Sequence, residues 1–249
     1  MSKMSKSKGI FTSKNIIILL FIVFLFLRLF VSQSSILLTA DALKFFEAAK
    51  HFPNHTLYNN QLYLLHPPFY PYAIYFFTQF LQDEYKAAVF ISIISAIITF
   101  FVIYNLFIML TGNFNITYFV LVFFSLSVGL INVSNAPFRE PLVIMLTASS
   151  IYYYIKGVKL NDAKSIVFAT IIGSILALTS DHVVFLFPSL ILSYIFFNSK
   201  KVILSKFSFS TIRRIAIPFL IVLLVYGSWT FVKYLQYSGS EYYPNGFEG

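Results

Sequence analysis

A few charged positions in this chain fall where charge is costly, and their types suggest chemistry. Asp41 is followed one turn later by Lys44. Lys86 precedes a long apolar run, and Arg139-Glu140-Pro141 precedes another. An ionisable group at the end of an apolar segment costs a few kcal/mol near lipid, so function competes seriously with accident there. Asp41 is the first candidate for a working carboxylate, although a helix N-cap accepting a backbone N–H would use the same residue type. Glu140 before Pro141 suits either a site or ordinary helix-end chemistry, because a carboxylate favours the positive N-terminus. Lys86 would hold an anion such as a lipid phosphate, or snorkel to headgroups. His66, ahead of Pro67-Pro68, could reach a phosphate or a metal. Asp181 with His182 could ligate a metal, and Arg28 would snorkel or pair inside a bundle. His51, His55 and the sequon-like Asn54-His-Thr are weaker signals.

The elements that must position these residues follow from composition. Hydrophobic residues make up 58% of the 249 and charged residues 11%. Soluble domains run near 45–50% apolar and about 25% charged, so the chain reads as an all-α, polytopic membrane protein. Phe numbers 31 and Tyr 17 against one Trp, which puts aromatic rings at span ends and between helices. With no Cys, disulfides, thiolate metal sites and a cysteine nucleophile are excluded. No Gly-rich phosphate loop, zinc signature or Ser/His/Asp arrangement is present. The formal charge of +9 could suggest nucleic acid, but the basic residues cluster in short loops beside apolar runs, which fits a positive-inside pattern.

Residues 1–14 form a basic N-terminus, expected in the cytoplasm, that runs into a first span at 15–32. Arg28 within that run and the lack of a small-residue cleavage pattern distinguish it from a signal peptide. The first outer loop, 33–87, carries an amphipathic helix around 41–50, with Phe45, Phe46 and Ala49 expected to face lipid. It also carries the proline-led run 68–81. That run has 14 residues and opens on three prolines in five positions, 67 to 71, whereas a span needs roughly 20 residues.

Charge decides the same question. Six further spans are expected at 88–110, 116–133, 141–155, 165–180, 183–198 and 215–232. If 68–81 stays on the outer surface, Lys156, Lys159, Lys164, Lys200, Lys201, Lys206, Arg213 and Arg214 join the N-terminal lysines, leaving 12 of 18 basic residues inside. The expected architecture is therefore a bundle of about seven transmembrane helices spanning 15–232, with amphipathic juxtamembrane helices in the first outer loop. The tail 233–249 lies outside. Eight of nine acids then gather on the outer face, with Asp162 alone inside.

Together these residues resemble the GT-C superfamily of membrane glycosyltransferases, in particular dolichyl-phosphate-mannose protein mannosyltransferases and bacterial lipid A aminoarabinose transferases. The resemblance is carried by Arg28 late in the first span, Asp41 with Phe45 and Ala48, His66-Pro67-Pro68-Phe69-Tyr70-Pro71, Lys86, Glu140-Pro141, and Leu178-Thr179 before the sixth span. It implies an integral-membrane enzyme of the plasma membrane, with an extracytoplasmic site moving a sugar from a polyprenyl-phosphate donor to a protein, lipid or glycan acceptor. It further implies Asp41 as catalytic base and Glu140 as a supporting acid. Lys44, His66, Lys86 and Arg139 would bind the donor phosphate, and a divalent metal, Mg or Mn, could sit at Asp41 and Glu140. The family usually continues with further spans, so the chain is expected to be a fragment or a minimal core. The competing reading is non-catalytic: a lipid-carrier or glycan translocation component, or a scaffold. A channel is disfavoured because no polar stripe runs through a span.

Overall fold

The computed structural model describes residues 13–32, 40–51, 67–181 and 209–238. The expected span 183–198, the final residues of the tail, and His55, His66 and His182 lie outside the described residues. Within them the chain is all-helical: α1 (Ser13–Ser32), α2 (Ala40–His51), α3 (Phe69–Leu81), α4 (Glu84–Thr111), α5 (Phe114–Leu126), α6 (Val128–Ser134), α7 (Glu140–Leu160), α8 (Ala163–Ala177) and α9 (Phe209–Ser238).

Three reversals of direction use one device. Gln82, Gly112 and Asn161 take left-handed backbone conformations that close α3, α4 and α7. Each is followed at once by Asp83, Asn113 or Asp162, whose side chain accepts a backbone N–H from the next helix. A two-residue turn of this kind makes consecutive helices antiparallel neighbours. At the last turn, Ser165 Oγ also donates to Asp162 at 2.6 Å, and this hydrogen bond holds the Asp162 carboxyl below its usual range.

The helix α4 is the ruler of the molecule. Its 28 residues extend about 42 Å at 1.5 Å per residue. Near its start, Ser92 Oγ lies 3.1 Å from the carbonyl of Phe138, just ahead of α7. Near its end, Met109 O accepts a 2.6 Å hydrogen bond from Lys159 Nζ at the end of α7. So α4 and α7 run parallel, and the stretch of α4 between these two ties rises about 26 Å. α8 returns along α7, with Ser150 Oγ donating to Ala169 O at 3.2 Å. α1 packs beside α4 through Phe21, Phe24 and Phe100, and α9 packs on α8 through Ala177 and Val222.

Only the first turns of α4 extend past the level of Ser92, and these carry α2 and α3. The run 68–81 forms a helix of 13 residues, opened by Pro68 and too short to cross a bilayer. α3 folds back along α4, with Phe77 and Phe90 in ring contact at 5.2 Å. The first-turn N–H of Phe69 would otherwise be an orphan, and it donates instead to Leu178 O at 2.9 Å, joining α3 to the end of α8.

The amphipathic helix α2 departs from expectation. Phe45, Phe46 and Ala49 do not face outward; they are buried with Tyr70, Ile74, Ala87, Ala88 and Ile91. The folded-back α3 offers the apolar stripe a protein surface, and a packed protein contact displaces the lipid contact that periodicity alone suggests.

A second departure concerns 116–133, expected to be one span, which is broken into α5 and α6 with a bend of 59°. Ser127 takes an extended conformation there, and a Ser with Gly129 close behind is a common cause of such kinks. The break frees the Phe124 carbonyl, toward which Arg28 points Nη2 at 3.5 Å. Arg28 is fully buried, with its guanidinium 3.7 Å from the Phe24 ring centroid. It therefore does not snorkel: a cation at the C-terminal end of a broken helix meets the negative end of the dipole. Among the described residues α4 alone is long and apolar enough to cross a membrane, α5 with α6 qualifies as a bent pair, and the apolar parts of α1, α8 and α9 are shorter.

The turn between α7 and α8 supplies a stability test. A Cβ on Gly157 would stand 2.5 Å from Ile166 Cγ1 and 3.0 Å from Ile166 N, whereas one on Gly129 would meet nothing within 4 Å. Gly157→Ala should lower stability by about 1–3 kcal/mol in thermal melts of purified protein, with Gly129→Ala melting at or above the parent.

Candidate active site

The candidate site is built where α2, α3 and the start of α7 meet. Asp41 stands in the first turn of α2 as a residue of the helix itself. Its Oδ1 is 3.4 Å from Lys44 Nζ, and its side chain is 68% exposed, so a substrate can approach it. One turn on, Phe45 turns inward and meets the Tyr70 ring edge-on at 5.0 Å. The Arg139 guanidinium lies 5.7 Å from the centre of that same Phe45 ring. Arg139 Nε is in turn 4.0 Å from Glu140 Oε1, whose side chain is half-exposed. Phe45 and Arg139 thus join the helix that carries Asp41 to the helix end that carries Glu140.

Glu140 opens α7 with Pro141 directly behind it, where the carboxylate meets the positive helix N-terminus and the proline removes an N–H that would be unpaired. Where α7 begins is decided by Ser92. Its hydroxyl lies 3.0 Å from the carbonyls of Ala88 and Ala136 and 3.1 Å from that of Phe138. The turn 135–138 has few internal hydrogen bonds of its own, so this one side chain anchors the approach to Arg139.

Beneath the surface pair lies a polar layer with unmet capacity. Tyr70 is fully buried, and burial, reinforced by the negative charge of Glu140, pushes its phenol well above the ordinary range, so it stays protonated. Ser92 is close enough to bear on that ionisation, but Tyr70 Oη completes no hydrogen bond. Neither side-chain atom of the buried Asn135 has a partner. Such groups cost about 1–3 kcal/mol each until water or substrate meets them.

Other expected residues fall elsewhere. Lys86 sits in the first turn of α4, with Nζ 3.9 Å from Asp83 and its backbone N–H bound by the same carboxylate. About two turns of α4 separate it from Ser92 and the Arg139 region. Asp181 follows the Leu178–Ser180 turn and lies within electrostatic reach of Tyr226 on α9. Among the described residues no group of three His, Asp or Glu could hold a metal ion, so Asp41 and Glu140 would need ligands from elsewhere to do so. Ser92 and Tyr70 were not among the sequence candidates. The signal for Ser92 was available: Ser92, Ser95 and Thr99 are buried hydroxyl residues at helical spacing in an apolar run, which marks a contact face.

Removing the Ser92 hydroxyl strands a carbonyl in a buried turn. Ser92→Ala should cost about 1–3 kcal/mol in thermal unfolding, whereas Ser125→Ala, which deletes a buried hydroxyl that has no partner, should be neutral or stabilising.

Comparison with known families bears on this geometry. Residues 65–229 match the family described as dolichyl-phosphate-mannose-protein mannosyltransferase, a stretch covering more than half of the chain. No curated protein matches.

Proposed function

We propose that this chain, which belongs to the dolichyl-phosphate-mannose-protein mannosyltransferase family, transfers a sugar from a polyprenyl-phosphate carrier to an acceptor hydroxyl on the extracytoplasmic face. Membership makes it a membrane glycosyltransferase of the GT-C type. The donor, the side of the membrane and the roles of individual residues are the proposal. The observation that carries it is the meeting of α2 with the start of α7 through Phe45 and Arg139, which links the helix carrying the pair Asp41 and Lys44 to the helix end carrying the pair Arg139 and Glu140.

In this reading Asp41 takes the proton from the acceptor hydroxyl as its oxygen attacks the anomeric carbon. The bond from that carbon to the phosphate oxygen breaks with inversion, and the electron pair leaves with the phosphate. Lys44 and Arg139 stabilise the departing charge, a role the sequence also assigns to His66, while Lys86, about two turns of α4 away from the Arg139 region, meets lipid headgroup phosphate instead. Glu140 holds Arg139 in place, and burial, reinforced by Glu140, keeps Tyr70 protonated as a donor. A divalent cation, Mg or Mn, would need ligands beyond Asp41 and Glu140, and no step is assigned to it.

The topology is seven spans in the plasma membrane, N-terminus in the cytoplasm. Support comes from the parallel run of α4 and α7 over a length near the roughly 30 Å of a bilayer core, and from the shortness of α3. Lys156, Lys159 and Lys164 then lie at the cytoplasmic end, and Glu140 at the outer one.

Transfer from a polyprenyl-phosphate-mannose donor by membranes containing the protein should fall by about 10²–10⁴ in Asp41→Asn; unchanged turnover rejects the catalytic assignment. Separately, a reporter fused after Lys201 should read cytoplasmic. An extracytoplasmic signal overturns the seven-span topology while leaving the chemistry open to test.

A further inference from the structure

The last turn of α2, the second half of α3 and the first residue of α4 border an open cavity of about 360 Å³, lined by Ala49, Lys50, Tyr75, Thr78, Gln79 and Glu84. That volume falls within the roughly 300–1,000 Å³ of small-molecule sites. Asp41 stands near the start of α2 and on the side of that helix opposite Lys50, so the cavity is separate from the proposed transfer site.

The wall carries two opposite charges. Lys50 brings a cation and Glu84 an anion, and among the described residues neither forms an ion pair. A ligand with a single charge leaves one of them facing a like charge, whereas a zwitterion meets both. Thr78 donates its hydroxyl to Ile74 O at 2.8 Å, and Gln79 donates one amide N–H to Tyr75 O at 3.4 Å. Thr78 Oγ1, Gln79 Oε1 and the Glu84 carboxylate are left as acceptors, which match the three N–H groups of a primary ammonium. The Lys50 ammonium and the second Gln79 N–H are left as donors, which match the oxygens of a phosphate. A quaternary ammonium has no N–H to give and leaves the acceptors unmet.

The surroundings indicate where such a zwitterion comes from. Glu84 lies about 38 Å along α4 from Met109, beyond the roughly 30 Å hydrocarbon core of a bilayer and within the roughly 40–45 Å that includes the headgroups. Beside the cavity, Tyr72, Phe76 and Phe80 form an exposed aromatic stripe along α3, with the last two rings in contact at 5.4 Å. Tyr75 and Gln79 immediately precede Phe76 and Phe80, so the stripe is rotated only about 100° from the cavity face. Aromatic side chains suit the boundary between headgroups and acyl chains.

We infer that this cavity binds the headgroup of a zwitterionic phospholipid with a primary amine, a phosphatidylethanolamine. The phosphate meets Lys50 and Gln79, the ammonium meets Glu84, and the acyl chains lie along the aromatic stripe. The site is independent of Asp41, and either orientation of the bundle puts this end of α4 among the headgroups of one leaflet.

The test is lipid binding by the full chain in detergent, read by native mass spectrometry, with phosphatidylethanolamine, phosphatidylcholine and phosphatidylglycerol of identical acyl chains. The first phosphatidylethanolamine should bind about tenfold more tightly than either of the others, the effect of one hydrogen bond to a charged group. Glu84→Gln should abolish the preference over phosphatidylcholine and favour phosphatidylglycerol, which no longer meets a like charge. Lys50→Gln should weaken phosphatidylethanolamine and phosphatidylglycerol alike, because both lose the cation facing the phosphate. Both substitutions keep side-chain size, and thermal melts report folding; Thr78→Trp, which fills the cavity, replaces either variant that does not fold. Equal binding of the three lipids, a parental preference for phosphatidylcholine or phosphatidylglycerol, or a phosphatidylethanolamine preference that survives the variants overturns the site. Glycerophosphoethanolamine, the headgroup without its tails, should compete only in large excess. Competition at concentrations equal to the lipid identifies a soluble zwitterion as the occupant and overturns the lipid assignment. Transfer activity in Asp41→Asn is a separate readout, so failure of the catalytic assignment and failure of this site are told apart.

Discussion

The arrangement depends on one hydroxyl in an apolar helix. Where water is scarce, a backbone carbonyl without a partner is expensive, and irregular backbone persists only when other groups satisfy it. The turn between α6 and α7 is such a backbone, and Ser92 brings its hydroxyl to 3.0 Å from Ala136 O and 3.1 Å from Phe138 O. Locking that turn to α4 fixes where α7 begins. Arg139 and Glu140 are therefore held at a defined height on the bundle, beside the Phe45 ring rather than free on a loop.

The same need to satisfy backbone groups explains the other joints. The broken helix at Ser127 exposes the Phe124 carbonyl, and Arg28 comes from α1 to meet it. The proline-led start of α3 carries an unpaired N–H on Phe69, which Leu178 at the end of α8 accepts. The last carbonyls of α4 include Met109, capped by Lys159 from α7. Each joint ties elements distant in sequence, and together they set the two levels between which the helices run.

Beyond the level of Ser92 the first turns of α4 continue, and this length gives α2 and α3 something to pack on. That small layer has two ends of different character. At one, the pair Asp41 and Lys44 and the pair Arg139 and Glu140 are linked through the Phe45 ring. At the other, Lys50, Gln79 and Glu84 line a mixed polar cavity.

The sequence by itself determined the helical class, the short reach of 68–81, and the candidate acids Asp41 and Glu140. These are local properties: apolar run length, proline position, charge at helix ends. It also carried the family, through spaced motifs that survive without any knowledge of packing. Only the tertiary structure decided that Phe45, Phe46 and Ala49 turn toward α3, that 116–133 bends at Ser127, that Arg28 is a buried partner of a carbonyl, and that Ser92 places Glu140. Periodicity shows which face of a helix is apolar but not what covers it, and a hydroxyl's acceptor 44 residues away becomes visible only when the chain has folded back upon itself.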